Sequence, residues 1–366
     1  MEVYKLPIEL AFIVFPFIAF ILTIPFLIHQ YRKYGAIPIL KSAIFYSLIL
    51  YLITAYFLVM LPLPSVESVS KLTTPRFQLT LFQFIKDIIN ATNYKINSFE
   101  SILRFLRQPT IYTILFNLVL TLPLGVYLRY FFNKKWYHSL LYSFILSLFF
   151  ELTQLSGLYG IYPRPYRLFD VDDLLINSLG GLLGHAIAPI FMFFLPKRDE
   201  LEKKSYEKGK KVTLLRRFIA FMIDVFFLSV FCLIAKLITY NSIFSEYYAL
   251  ITISIYYLLV PIMFSGQTFG KIVVNLKIIS MDKNNSWYKI LFRNFIFIYL
   301  TIYPFVWIKI LSNYTSDDVI KRLYIVLIIY QIINIGYYVI TLRKENHLFI
   351  YEKITNTKNI SIIEPD

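Results

Sequence analysis

"RLFDVDDLLINSLGGLLGH", residues 167–185, passes from an arginine and three aspartates through an asparagine and three glycines to a histidine, at the mouth of an apolar run. Runs of about 20 apolar residues are long enough to cross a hydrocarbon core of about 30 Å as helices, so the stretch reads as a membrane helix with its charge gathered at one end. Similar runs recur along nearly the whole chain. At 58% hydrophobic and 16% charged, the protein falls well below the roughly 25% charged of a soluble domain. One water-soluble core is excluded. The expected fold is all-α, a polytopic transmembrane helical bundle with about nine spans in two membrane domains. Spans are expected at 8–28, 42–61, 111–132, 136–155, 174–195, 218–240, 247–264, 295–311 and 323–342, with Pro304 and Trp307 interrupting the eighth. The first run has no basic leader and no small-residue cleavage site, and reads as a retained helix.

Roughly two-thirds of the 37 lysines and arginines fall at one set of span ends, which the positive-inside rule assigns to the cytoplasm. This predicts a multi-pass plasma-membrane protein with its N-terminus extracytoplasmic and its C-terminus cytoplasmic. The 167–185 stretch then opens on the outer side, and the basic segment "KRDELEKKSYEKGKKVTLLRR" lies inside. The same rule accounts for the net charge of +15, and no aromatic-interleaved basic motif points to nucleic acid. A solvated charge run near anionic lipid is the expectation for the basic segment. Between Pro62 and Pro109, Leu81, Phe82, Ile85, Ile88 and Ile89 recur at helical spacing, which predicts an amphipathic helix on the outer interface or capping the bundle.

Glu151 and Gln154 lie three residues apart at the end of the fourth run and share a helix face. A glutamate within a span is costly and needs a partner; Arg164 and Arg167 follow in the next loop. Asp172 and Asp173 stand where carboxylates meet the amides and positive dipole of a helix start. Capping accounts for one aspartate, Asp172, but poorly for Asp170, Asp172 and Asp173 together. Asn177 lies one turn inside Asp173, and Gly180, Gly181 and Gly184 open a face for close helix packing. Glu151, Gln154, Arg167, Asp170, Asp173 and Asn177 are therefore the candidate ligand-binding set, brought together if the fourth and fifth spans meet along the glycine face.

"NLVLTLPLG" at 117–125, "ELTQL" at 151–155 and "YRLFDVDDLLINSLGGLLG" at 166–184 together resemble the VanZ-like family, whose founding member is associated with teicoplanin resistance. The resemblance spans residues 1–196 and implies an envelope role, with glycopeptide tolerance as its phenotype.

Arg217 and Asp224 stand two helical turns apart at the start of the sixth span, about 10.5 Å along one face. A buried aspartate requires a cation, a donor or a proton, and Arg293 and Lys271 are the candidate cations. "GQTFGKIVVNLKII", 266–279, lacks phosphate-loop spacing and reads as a short extended or re-entrant segment. With "RRFIAFMID", Arg293–Asn294 and "YEKITNT", residues 213–358 are similar to the RDD family. The resemblance places its motif at Arg217, Asp224 and Glu352, with glutamate at the family's second aspartate and Tyr351 at its histidine. Cation transport is associated with some members. Residues 197–212 would be a basic cytoplasmic linker and 359–366 a C-terminal tail.

His29, His138, His185 and His347 show no metal-ligand spacing, no cofactor is called for, and Cys232 is the single cysteine. Ser178, His185 and Asp173 lack a nucleophile elbow, and the balance is against an enzyme. The reading is an envelope membrane protein that binds or shields a membrane lipid or lipid-linked cell-wall precursor at its outer face. The alternatives are a cation or solute transporter using Glu151, Asp173 and Asp224, and an enzyme on a lipid head group with a carboxylate-held divalent metal. A homo-oligomer is left open.

Overall fold

Helices cover the apolar stretches, but among the described residues five are long and apolar enough to cross a membrane: Tyr4–Tyr34, Ile39–Met60, Pro109–Tyr130, Val171–Phe193 and Leu214–Ile238. The computed structural model describes residues 2–91, 108–193, 195–196, 198–240, 247–282, 287–301, 303–312, 315–341 and 348–363. Nine spans is more than these helices support by length and composition. The run at 136–155 forms a helix diluted by buried Ser139, Ser143, Ser147, Glu151 and Gln154. The run at 247–264 yields a helix of 16 residues. The run at 295–311 is divided between two helices, Trp287–Thr301 and Tyr303–Leu311.

The chain forms two units, Met1–Thr23 with Pro38–Leu201, and Ile24–Ile37 with Glu202–Asp366. The long first helix, α1 (Glu2–Tyr34), contributes to both. In the first unit follow α2 (Ile39–Met60), α3 (Val66–Ser70), β1 (Phe77–Gln78), α4 (Gln83–Ala91), α5 (Pro109–Tyr130), α6 (Trp136–Leu155), β2 (Phe169–Asp170) and α7 (Val171–Phe193). Proline at the first position of α5 costs no helical hydrogen bond there. β1 pairs in parallel with β2, which brings the 62–109 connection beside the acidic stretch.

The glycines of α7 serve two partners. A Cβ on Gly180 or Gly184 would run into the backbone carbonyl of Leu118 or Leu122 on α5, and one on Gly181 into Ser143 Oγ on α6. The expected meeting of the fourth and fifth spans is thus only part of the packing. α5 takes the closest approach, because Gly125 faces the carbonyl of Gly181 and two glycines let backbones touch. The predicted amphipathic helix is α4, with Ile85 and Ile89 exposed, but it begins only at Gln83, and the exposed Leu81 and Phe82 lie in the turn before it; part of the predicted stretch, 92–94, lies outside the described residues. An uncovered apolar face beside membrane helices suits an interfacial position.

In the second unit the end of α1 is followed by α8 (Arg198–Gly209), α9 (Leu214–Ile238), α10 (Tyr248–Met263), α11 (Phe269–Val273), β3 (Leu276–Ser280), α12 (Trp287–Thr301), α13 (Tyr303–Leu311), α14 (Asp317–Thr341), α15 (Ile350–Ile354) and β4 (Thr357–Ser361). The basic segment is not simply a solvated run. Glu202, Ser205, Tyr206 and Gly209 share one face of α8; Tyr34 Oη donates to Glu202 Oε1 at 2.8 Å, the Tyr34 and Tyr206 rings lie 5.3 Å apart, and Ser205 is buried. About a third of "GQTFGKIVVNLKII", Phe269–Val273, is the short helix α11, started by the Thr268 side chain accepting from the Lys271 amide. Extended structure begins only at Leu276, where β3 pairs antiparallel with β4 from Leu276↔Ser361 to Ser280↔Thr357. Residues 359–361 are therefore sheet, and Asn359 is buried in it.

Candidate functional site

Where α2 and α6 end and α5 and α7 begin, a cavity of about 430 Å³ opens. Its polar lining includes Glu151, Gln154, Arg167, Asp170, Asp173, Asn177, Asn117 and Thr113, and Tyr4, Leu58, Tyr112, Phe116 and Phe150 supply an apolar lining. The six residues singled out in the sequence thus line one space. Glu151, only 4% exposed, accepts the Asp170 amide on Oε2 at 3.0 Å. Gln154 Nε2 donates to the Val59 carbonyl at 3.1 Å. Asp173 Oδ1 accepts from Asn117 Nδ2 at 2.7 Å. Asn177 donates from Nδ2 to Ser147 Oγ at 2.8 Å, while its Oδ1 is buried with no hydrogen-bond partner.

The three aspartates have three different tasks. Asp170 Oδ1 accepts from the Asp172 amide at 2.8 Å and caps α7. Its carboxyl is raised by burial, with Asp172 and Asp87 adding and the Asp172 N–H opposing. Asp172 does not cap its own helix as expected. Its two oxygens accept from Phe82 N at 2.7 Å and Phe84 N at 2.9 Å, tethering the start of α4. Only Asp173 presents its carboxylate to the cavity without serving a helix end.

Arg167 closes the cavity from the loop, donating to the carbonyls of Val59 at 2.8 Å and Leu61 at 3.5 Å. It forms no ion pair with Glu151 or Asp173, so the expected pairing of the span glutamate with a loop arginine is not made. Arg164 instead clamps the loop through the carbonyls of Leu72 and Thr74. Ser178 Oγ donates back to Leu174 O, and His185 Nδ1 meets Ser139 Oγ, so with Asp173 these residues make no relay. Among the described residues no group of three or more His, Cys, Asp or Glu is placed to hold a metal.

In the second unit Asp224 is 2% exposed and its partners are neutral. Oδ1 accepts from Tyr256 Oη at 2.5 Å and Gly270 N at 2.7 Å, and Oδ2 from Thr268 Oγ1 at 2.7 Å. Neither Arg217 nor Arg293 pairs with it. Lys271 reaches it only through Thr268 Oγ1, at 3.3 Å, and burial, opposed by Asp224, pulls that lysine down to about 8. The arginines converge on Glu352: Arg217 on Oε2 and Arg293 on Oε1, both at 3.0 Å, joined by Phe349 N and Asn359 Nδ2. Tyr351 lies under the Arg293 guanidinium at 5.0 Å.

Comparison with known families finds one match in each half of the chain. Residues 45–192 match the family described as VanZ/LLP1, and residues 211–349 match the RDD family. The chain joins a VanZ-like domain to an RDD domain. No curated protein and no solved structure matches it. The RDD match ends three residues before Glu352, whose carboxylate pairs with Arg217 and Arg293, both inside the matched segment.

Sequence reasoning passed over the largest fully buried side chain among the described residues of the RDD domain. Arg216 is fully buried and, among the described residues, pairs with no carboxylate. Nε donates to Val274 O at 2.8 Å, Nη1 to Gly209 O at 2.8 Å, Gly35 O at 3.2 Å and Ser361 Oγ at 3.0 Å, and Nη2 to Asn275 O at 2.8 Å. It thereby joins the ends of α1, α8, α11 and the hairpin. The adjacent Arg217 drew attention because a charge partner was sought, whereas Arg216 is held by carbonyls, for which no sequence signal exists. In the VanZ-like domain the missed residues are Asn117 and Ser147. The spacing of Ser139, Ser143 and Ser147, every fourth residue of an otherwise apolar helix, was a readable sign of a polar helix contact.

Proposed function

We propose that the VanZ-like domain binds the polar head group of a membrane amphiphile, a lipid or lipid-linked cell-wall component, at the extracytoplasmic face of this multi-pass membrane protein. One observation carries the reading: a 430 Å³ cavity at the helix ends joins a hydrogen-bonding lining to an aromatic one. Such a space fits a molecule that is polar at one end and apolar at the other. The transporter reading is weaker, since Asp224 is already occupied by three neutral donors and belongs to a different unit from Glu151 and Asp173.

Thr113 lines the cavity, and its hydroxyl bonds only its own helix, at Pro109 O. Thr113→Trp should fill the space without touching a charged group. Native mass spectrometry of the wild type is expected to show a retained lipid that this variant loses, at equal membrane abundance. An empty wild-type cavity, or a variant that holds lipid as well, would refute the assignment.

For orientation, Ile161, 68% exposed beside the Gly157–Gly160 turn, and Lys204, exposed on α8, are open positions. On a Cys232→Ala background, Ile161→Cys is expected to react with an impermeant thiol reagent in intact cells and Lys204→Cys only after lysis. The reverse pattern would move the cavity to the cytoplasmic side.

A further inference from the structure

The cavity lining is unbalanced in hydrogen-bond character. Glu151 uses one oxygen on the Asp170 amide and Asp173 one on Asn117, and among the described residues no donor reaches the second oxygen of either. Asn177, 4% exposed, faces the same cavity with an unpartnered Oδ1. Arg167, the one cationic side chain of the lining among the described residues, spends its hydrogen bonds on Val59 and Leu61. Among the described residues three acceptors are therefore unmet, two of them on carboxylates, with Glu151 buried and Asp173 half-buried. Leaving such groups uncompensated is costly.

We propose that the ligand's head group carries a protonated primary amine, received by Glu151, Asp173 and Asn177. This rests on the head-group reading above and deepens it. An ammonium supplies three donors and one positive charge, matching three acceptors and offsetting the carboxylates. A sugar or glycerol hydroxyl supplies donors without charge. A quaternary ammonium supplies charge without donors. A divalent metal would want a larger oxygen set than two carboxylates.

The test uses the full chain in nanodiscs holding equimolar phosphatidylethanolamine, phosphatidylcholine and phosphatidylglycerol, with retained lipid counted by native mass spectrometry. Wild type is expected to retain phosphatidylethanolamine about tenfold over each of the others, the ratio that 1.4 kcal/mol produces. In Glu151→Gln/Asp173→Asn the preference should fall to near parity while the total lipid retained is unchanged, which reports an intact cavity. Asp173→Asn alone serves if the double variant does not fold, and should lie between the two. Equal retention of phosphatidylethanolamine and phosphatidylglycerol by wild type would overturn the amine and leave the head-group reading standing. No retained lipid of any kind would overturn both. A preference that persists in the folded double variant would also defeat the proposal.

Discussion

Arg216→Ala should lower the thermal midpoint of the RDD domain by about 10 °C, the shift expected for about 4 kcal/mol in a unit of this size. The substitution removes a fully buried guanidinium whose donors meet the carbonyls of Gly35, Gly209, Val274 and Asn275 and the hydroxyl of Ser361. Each buried acceptor left without a donor costs roughly 1–3 kcal/mol, and the costs overlap because the loosened segments can recover water. These acceptors belong to segments distant in sequence, so their loss frees several connections at once. Cys232 makes the measurement specific. It is the single cysteine of the chain, partly buried in α9, and its reaction with a thiol-activated dye on heating reports the opening of this domain alone. Arg216→Lys should recover only part of the loss, because an ammonium cannot span the spread of acceptors that the planar fork reaches. An unchanged midpoint in Arg216→Ala would show that the tethers contribute nothing to stability.

Glu352→Gln is expected to be nearly as damaging, at about 3–5 kcal/mol, because it leaves Arg217 and Arg293 facing each other without a counter-charge. Glu352 is fully buried and accepts from both arginines, the Phe349 amide and Asn359. Burial by itself would raise its carboxyl, but Arg293, Arg217 and the Phe349 N–H outweigh it and hold the group below the ordinary value of 4.5. A depressed carboxylate contributes stability that is present above the unfolded value and lost as the pH falls through the folded one. Wild type should therefore lose Cys232 protection on acidification below about 4.5, and Glu352→Gln should show a low midpoint without that component. An unaltered acid limb in the variant would assign the transition to other carboxylates.

The membrane class, the all-helical fold and the two-domain order were legible in the sequence, because apolar runs, their helical spacing and motif order are properties of the linear chain. The six residues from Glu151 to Asn177 were legible as a group for the same reason: polar residues in apolar runs have few places to go. Their individual duties were not. Asp172 serves amides 88 and 90 positions away, and Glu352 binds an arginine 135 positions away, and no spacing rule reaches such distances. The same limit sent Asp224 to neutral donors instead of a cation, and divided the glycines of α7 between two helices. What the sequence alone determined was which residues could not remain in lipid unpaired, since that cost belongs to each side chain. Which partner each one took was decided only by the tertiary structure, because hydrogen bonds are short and directional and depend on backbone segments that packing brings together.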